Sequence, residues 1–547
     1  MLAAIGIGDL FAAGEIAFIR EIGALLEDMT TERAKKGLKN LISLAPTTGR
    51  VVRNGEERVI PASQIAQGDT VRILPSETIP VDGEILTGET SVDQSVMTGE
   101  SLPIDKGPGD GVFSGTLNRF GAIDIRATRV GEDSSLQRLI QLVKDAEARQ
   151  APSQRIADRW ASWLVPVALA IALIAWLATG DIVRGVTVMV VFCLCALVLS
   201  TPTAIMAAIG QATKHGVIIK SGEALERMGA VDTIAFDKTG TLTHGRLEVS
   251  DVIPLDGGSA EALLALAASA EQRSEHPLGQ AVVKRAREEG LPLSEPSGFR
   301  MTAGRGVFAE IDGRACWFGS ERYLAENGIE LAPQAREALD GLRGEGKASV
   351  LAADANGVIG ILGLADAVRP EAAAVVRRLA GMGTRSVLLT GDHEKAASWL
   401  AAKVGIQELR ADLLPEQKVE ALTSLKEKGT ACMIGDGVND APALKIADVG
   451  VAMGVMGSDI AVEAADVALM TDDLSKLPYL KWLARAAVGT IRTAITISMC
   501  INFLAVTLSV LGVLNPTTGA LVHNAGSCFV VLLAALLYDR KYREDAN

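Results

Sequence analysis

The chain has 547 residues, 48% of them hydrophobic, yet 22% are charged and the net charge is −13. A mean hydropathy of +0.27 excludes a uniformly soluble protein, and that many charges exclude a compact membrane bundle. A mosaic of soluble acidic domains and short membrane segments reconciles the two, with a lipid bilayer as one partner and no nucleic-acid partner expected.

In chain order, Met1–Leu26 is apolar but carries Asp9, Glu15, Arg20 and Glu21. It lacks the basic start and small-residue cleavage site of a signal peptide, so residues 1–28 are expected to form a first helix, in the membrane or at its interface. Residues 29–150 form a first soluble block. Its short alternating runs at Gly49–Gly55, Asp69–Leu74 and Gly83–Leu86 are separated by Gly, Asn and Asp turns, which predicts a β-rich sandwich or barrel. Trp160–Gly180 and Gly185–Thr213 contain no Asp, Glu, Lys or Arg. Each is long enough for the about 20 residues a bilayer-crossing helix needs, so two transmembrane helices are expected over 160–213. The charge-free stretch between Arg492 and Asp539 is interrupted at Asn515-Pro516-Thr517-Thr518-Gly519, which predicts two further helices over 492–538 joined by a turn. Lys35, Lys36, Arg155, Arg159, Lys214, Arg492 and Arg540 flank the spans on the side of the soluble blocks. By the positive-inside rule that side is cytoplasmic, and the expected location is a bacterial plasma membrane. Cys316 and Cys432 fall in the soluble blocks, where a reducing cytosol keeps thiols free; Cys193, Cys195, Cys500 and Cys528 fall in the spans.

The second soluble block opens with Val231–Phe236, an apolar run ending at Asp237, and later shows Ser386–Thr390 and Ala431–Gly435. Short apolar runs between helical stretches predict a parallel sheet in an α/β layer, whose functional groups gather outside the carboxyl ends of the strands. Asp237, Thr390-Gly391-Asp392 and Gly435-Asp436 stand at those ends. A lone Asp there is most often a helix cap, but three that converge repel one another and call for a cation; hard oxygen ligands suit Mg2+. A carboxylate is also a nucleophile towards phosphorus, giving an aspartyl-phosphate. A rival phosphate signal, Gly341–Ala348, has P-loop spacing but carries Ala348 where a Ser or Thr would hold the metal. It is read as a turn.

Asp237-Lys-Thr-Gly-Thr-Leu-Thr resembles the phosphorylation motif of P-type ATPases, and Gly435-Asp-Gly-Val-Asn-Asp-Ala-Pro-Ala-Leu resembles their hinge motif. Thr98-Gly99-Glu100-Ser101 is similar to the dephosphorylation loop of the actuator domain, and Ser274-Glu275-His276-Pro277-Leu278 to a nucleotide-site signature of the heavy-metal-transporting branch. The four motifs stand in the family's order and span most of the chain. The resemblance implies a multidomain α-helical membrane protein with a β-rich actuator domain (29–150) and an α/β, haloacid-dehalogenase-like phosphorylation domain. The latter would be in two parts, 214–244 and 364–485, carrying an inserted α+β nucleotide domain over 245–363. It further implies that Asp237 accepts the γ-phosphate of ATP, and that Asp237, Asp436 and the backbone of Thr239 hold Mg2+. Thr241, Thr390 and Lys418 would neutralise phosphate oxygens, a task that matches the electrostatic character of phosphoryl transfer. Asp392, Asn439 and Asp440 would organise the site, and Glu100 would position or deprotonate water for hydrolysis. Glu271, His276, Gly304 and Gly306 match the branch's adenine-site positions, the glycines allowing close approach of the base.

The same branch carries Cys-Pro-Cys in the helix before the phosphorylation domain; this chain reads Cys193-Leu194-Cys195, followed by Ser200-Thr201-Pro202. On an intact helix two positions two apart point about 200° away from each other, and Leu194 removes the proline that would unwind the turn. Cys193 and Cys195 are thus either ligands of the transported ion or small packing residues. His523-Asn524-Ala525-Gly526-Ser527 resembles a last-helix signature of that branch, and Cys500 and Asn502 lie in the preceding span. For His523, Asn524 and Ser527 the alternative is interhelical hydrogen bonding. Thiolate and imidazole favour a transition-metal cation, and the absence of Asp or Glu from the last span counts against an arrangement that relies on one. Gly14-Glu15 resembles the signature of the last helix ahead of the actuator, and no Cys-x-x-Cys domain precedes it. The expectation is a shortened pump whose missing helices are lost, left out or supplied by another chain, as in a split pump. The competing reading is a membrane-tethered phosphohydrolase, a remnant that transports nothing. A potassium-pump catalytic subunit is disfavoured by Ser274–Leu278.

Overall fold

The computed structural model describes residues 5, 10–34, 46–53, 55–95, 103–148, 151–192, 195–274, 276–302, 305–436, 440–454 and 463–542. The chain divides into two compact units, residues 1–231 with 447–547, and residues 232–446.

In the first unit the β-rich expectation holds. A six-stranded antiparallel sheet runs in the order Glu56–Pro61, Thr48–Arg53, Thr70–Ile73, Ile123–Arg129, Asp82–Thr87, Gly111–Val112. A three-stranded sheet, Ile104–Lys106, Thr90–Asp93 and Leu117–Asn118, accompanies it. Side chains alternate in burial along Thr70–Ile73 and Ile123–Arg129, as a half-covered strand requires. Val71, Ile73, Ile85, Ile123 and Ile125 form the core. Arg72 and Asp124 pair across the outer face at 2.7 Å. Buried Asp82 ties the sheet to the helix Ser135–Ala148 by accepting from Ser114 N at 2.8 Å, Ser135 N at 2.9 Å and Ser135 Oγ at 2.7 Å.

The rest of this unit is helical. Leu10–Ala34 is one helix and packs along Pro516–Ala535: Thr517 Oγ1 donates to Glu15 Oε2 at 3.0 Å, and Ala13 and Ala520 are buried together. By length and composition, two helices suffice to cross a membrane among the described residues, Lys476–Val510 and Pro516–Asp539. Trp163–Thr179 and Ile182–Val191 are shorter apolar helices. The charge-free run Gly185–Thr213 is not the single helix expected. One helix ends at Val191, Phe192 leaves the helical region with ψ 69°, and the next begins at Cys195 and runs to Lys214. Apolar composition permits a long helix without requiring continuity. The Lys476–Val510 helix starts well before the charge-free stretch that predicts it, because Leu477, Leu480, Leu483, Ala484, Ala487 and Ile491 extend its buried face at helical spacing. Asn515 caps the last helix by accepting from Thr518 N at 2.8 Å.

The second unit contains the α/β layer. Strands Ala431–Gly435, Thr233–Phe236, Arg385–Leu389 and Glu408–Arg410 are adjacent and parallel, with Phe236 opposite both Leu388 and Ile434. Every residue of Thr233–Phe236 is buried, as befits a strand covered on both faces. Inserted after it is a six-stranded antiparallel sheet ordered Thr243–Pro254, Gly357–Val368, Ala348–Asp354, Arg314–Gly319, Gly306–Ile311, Ser297–Thr302. Helices Ala260–Glu271 and Pro277–Glu288 share one core with this sheet, while Tyr323, Leu324, Leu339 and Leu342 from two further helices enter another. The rejected P-loop segment is a helix end: Pro333–Gly344 stops, and Ala348 starts a strand.

Replacing Asp82 by Ala leaves one buried donor, Ser114 N, and two half-buried ones on Ser135 without their acceptor. The substitution should destabilise the first soluble block by about 2–4 kcal/mol, read as a lowered thermal-unfolding midpoint of that block.

Candidate active site

Asp237 follows the strand Thr233–Phe236 with extended backbone, φ −72° and ψ 162°. Its carboxylate is buried, and its Oδ1 accepts from Lys418 Nζ at 2.5 Å. Lys418, from the helix Pro415–Lys426, also donates to Asp440 Oδ1 at 2.8 Å. One ammonium thus bridges two buried carboxylates. Burial and the neighbouring Asp440 push Asp237 up to about 6, against the pull of Lys418. Burial likewise raises Asp440. Burial pulls Lys418 down, but the two carboxylates more than offset this and hold it above its ordinary value.

The loop after Asp237 is shaped by Gly240, at φ +72°, where a Cβ would lie 3.2 Å from Asp436 Oδ2. A side chain there would be strained and would press on the carboxylate that follows Ala431–Gly435. Buried Arg369 fixes the loop from behind, its Nε donating to Thr241 O at 2.8 Å and its Nη2 to Gly240 O at 3.1 Å. Thr243 Oγ1 donates to Lys238 O at 2.9 Å and to Asp366 Oδ2 at 2.5 Å. Lys238 pairs with Asp392, and Asp392 N donates to Thr390 Oγ1 at 3.1 Å. The Thr241 hydroxyl is fully buried and has no hydrogen-bond partner among the described residues.

Asp237, Lys418 and Asp440 are therefore brought into direct contact, and Asp436 faces the loop that carries Thr239 and Thr241. Glu100 and Asn439 lie outside the described residues. The roles of Lys238, Arg369 and Asp366 as props were not visible in the sequence, where a lone charge reads as a solvated one. The only hint is that Lys238 and Arg369 adjoin apolar runs.

Across the inserted sheet, Glu271, Ser274, His276, Gly279, Gly306 and Ser349 line one cleft. Burial raises the Glu271 carboxyl, against its hydrogen bond with Ser274, and its Oε2 has no hydrogen-bond partner among the described residues. His276 Nδ1 accepts from Leu278 N at 3.3 Å as a helix cap, so a neutral imidazole there carries its proton on Nε2. At Gly306 a Cβ would meet Phe318 O at 2.3 Å and the Tyr323 ring at 2.5 Å. Strand packing alone requires glycine at that position, before any base approaches. Gly304 lies outside the described residues.

Of the membrane candidates, Cys193 lies outside the described residues, and for Cys195 only the backbone is described. Cys500 is exposed, and Asn502, two positions on, is buried. His523 Nε2 is 3.5 Å from Ser527 Oγ, and Asn524 abuts Gly23, where a Cβ would meet its Oδ1 at 2.7 Å. Among the described residues no three His, Cys, Asp or Glu are grouped to hold a metal ion.

Residues 43–144 match the P-type ATPase actuator domain and residues 231–448 the haloacid dehalogenase-like hydrolase family. The chain is 36% identical over 545 residues to a probable cadmium-transporting ATPase of Staphylococcus aureus, covering 97% of this chain and 75% of that protein. The chain belongs to the P-type ATPase family. It is also similar to the copper-transporting ATPase 2 of Rhizobium meliloti (38% identity, 93% of this chain, 63% of that one). A silver-exporting P-type ATPase of Salmonella typhimurium is 39% identical over 96% of this chain and 65% of its own. A crystal structure of a zinc-transporting PIB-type ATPase in the E2.Pi state superposes with a TM-score of 0.67 at 33% identity, covering 98% of this chain and 89% of that one. The named relatives are copper-, silver- and cadmium-transporting ATPases. It spans slightly less than two thirds of the copper and silver relatives.

The raised Asp237 carboxyl makes a pH-dependent prediction. Its folded-state value of about 6 lies above the ordinary 3.8, so its stabilising contribution is full below the ordinary value and is lost as pH rises through about 6. In the nucleotide-free, Mg2+-free P-type ATPase, Asp237→Asn should raise stability at neutral pH by up to about 3 kcal/mol, read as a higher thermal-unfolding midpoint. The advantage should shrink as the buffer is taken from pH about 6 to about 4; a variant less stable than wild type at neutral pH would contradict it.

Proposed function

We propose that the chain drives a transition-metal cation across a membrane with the energy of ATP, through an aspartyl-phosphate on Asp237. The observation that carries this reading is the Lys418 bridge between Asp237 and Asp440, in a chain similar over nearly its whole length to metal-transporting ATPases. An isolated helix-capping Asp needs no such clasp. A carboxyl held near 6 remains mostly ionised at neutral pH, yet is more basic than a free aspartate, which suits a nucleophile.

In this reading an Asp237 oxygen attacks the γ-phosphorus of ATP, the bond to the β–γ bridging oxygen breaks, and ADP leaves with that electron pair. Lys418, Thr241 and Thr390 neutralise or donate to the phosphoryl oxygens; the unpartnered Thr241 hydroxyl is a donor available for that purpose. Asp237, Asp436 and the Thr239 carbonyl form a hard-oxygen donor set that fits Mg2+, and Gly240 leaves room beside Asp436. When bound, Mg2+ offsets the negative charge shared by carboxylates and phosphate. Asp392, Asn439 and Asp440 orient these groups. Glu100 serves as the base that aligns water against the acyl phosphate. The adenine enters the cleft of Glu271 and His276, with Gly304 and Gly306 at its wall. Cys193, Cys195, Cys500, Asn502, His523, Asn524 and Ser527 are the candidate ligands of the moving ion, which soft and borderline donors restrict to the transition metals. The relatives support a bacterial plasma membrane, with the soluble units on the cytoplasmic side.

With labelled ATP and Mg2+, the wild type should form an acid-stable phosphoenzyme and Asp237→Asn none. Glu100→Ala should form it and lose it about 100-fold or more slowly. Turnover should require one of copper, silver, zinc or cadmium ions. Turnover that is indifferent to all of these, yet abolished by Asp237→Asn, would replace the pump by a tethered phosphohydrolase.

A further inference from the structure

The helix Gly222–Ala230 precedes the strand that ends at Asp237, and both of its ends are clasped. At its start a Cβ on Gly222 would lie 2.9 Å from the Ala151 Cβ. There the chain leaving the first soluble block enters the helix Pro152–Thr179. Ser153 N donates to Glu226 Oε2 at 3.2 Å, and Arg155 lies 3.8 Å from Glu223. At its end a Cβ on Gly229 would lie 3.2 Å from Ala484 O and 3.1 Å from Val488 Cγ2, both on the Lys476–Val510 helix. Each glycine permits an approach that a side chain would prevent.

Lys481, on that long helix, is fully buried, and its Nζ donates to Met228 O at 3.0 Å, Gly229 O at 3.3 Å and Val231 O at 2.5 Å. The last carbonyls of a helix lack intrahelical partners, and a cation is favoured beside them. Space-filling does not explain the choice: a methionine would occupy similar volume without the cost of burying an ammonium. The ammonium forms a directional tie between the membrane helix and the segment leading to Asp237. From Val231 the chain runs straight into Thr233–Phe236, buried at every residue.

We propose that the helix Gly222–Ala230 is the coupling element of the transport cycle, with Lys481 and Glu226 as its positioning residues. Lys481 binds the membrane helix to the segment carrying Asp237, and Glu226 binds the chain trailing from the first soluble block to the same helix. The inference rests on the pump reading, since coupling has meaning only where phosphorylation and ion movement coexist. Neither residue touches the groups that transfer phosphate, so their loss should leave chemistry intact and detach it from the membrane.

The test uses the full chain with ATP, Mg2+ and the activating transition metal. Lys481→Met should form phosphoenzyme at about the wild-type level while metal-stimulated turnover falls by about tenfold, at an unchanged metal concentration for half-activation. Lys481→Arg, which keeps the charge and several donors, should recover most of the loss, and Glu226→Gln should show a smaller fall of the same kind. Wild-type turnover in Lys481→Met overturns the proposal. So does an equal fall in phosphorylation and turnover that Lys481→Arg does not relieve, since that marks a structural prop. Should Lys481→Met fail to fold, Lys481→Arg and Glu226→Gln decide, and wild-type behaviour in both overturns it. A wild type that forms no phosphoenzyme overturns the pump reading and the coupling with it; a wild type that cycles beside unaffected variants overturns the coupling alone.

Discussion

The second unit is organised around an electrostatic debt. Asp237 and Asp440 are buried close to one another, with Lys418 as their shared counter-charge and Asp436 across the loop at Gly240. Burial disfavours every one of these charges, and removing one partner of such a set strands the others. The surrounding structure is what such a set requires. Fully buried parallel strands fix where the carboxylates begin, a helix presents Lys418, and Arg369 anchors the loop carbonyls. Under the proposed function, the negative excess that remains would favour a hard cation beside an incoming phosphate.

The insertion leaves and rejoins the site's domain at one crossing of the chain. Its first and last strands, Thr243–Pro254 and Gly357–Val368, pair with each other, so the chain leaves and returns side by side. At that crossing Thr243 bonds both Lys238 O and Asp366, and Asp366 accepts from Arg246 N at 3.1 Å. The residues that begin the inserted sheet are those that hold the loop after Asp237. The cleft lined by Glu271 and His276 lies elsewhere on that sheet, away from the crossing that holds the loop after Asp237.

What was legible in the sequence follows from the same physics. Asp237, Asp392 and Asp436 were readable because each polar residue closes an apolar run, and parallel sheets gather such ends together. Lys418 and Asp440 came only through the family motifs: nothing in their local pattern separates them from surface charges. Lys238 and Arg369 were missed for that reason, since pairing depends on partners more than a hundred residues away in the chain. In the membrane, composition located apolar segments but not their continuity, and the helix expected over Gly185–Thr213 is divided after Val191. That division also bears on Cys193 and Cys195. The argument that they diverge by about 200° presumes an unbroken helix, and Phe192, just before them, has already left the helical region. At Gly306, Phe318 and Tyr323 already impose the close approach that the motif suggests for a base.

The long helix Lys476–Val510 carries Lys481 and Asn502 on one continuous face. Its buried face runs through Lys481, Ala484, Ala487, Ile491, Ala494, Ser498, Asn502, Ala505 and Ser509, a continuous stripe at helical spacing. The stripe is charged at one end, apolar in the middle and polar in the segment apolar enough to cross a membrane. Cys500 falls off it and is exposed, whereas Asn502 lies on it. At 1.5 Å per residue, Lys481 and Asn502 are roughly 30 Å apart along the same face. No proline, the commonest cause of a sharp kink, falls between those positions. Any axial movement that alters the surroundings of Asn502 must then move Lys481 by the same amount, together with the carbonyls it holds.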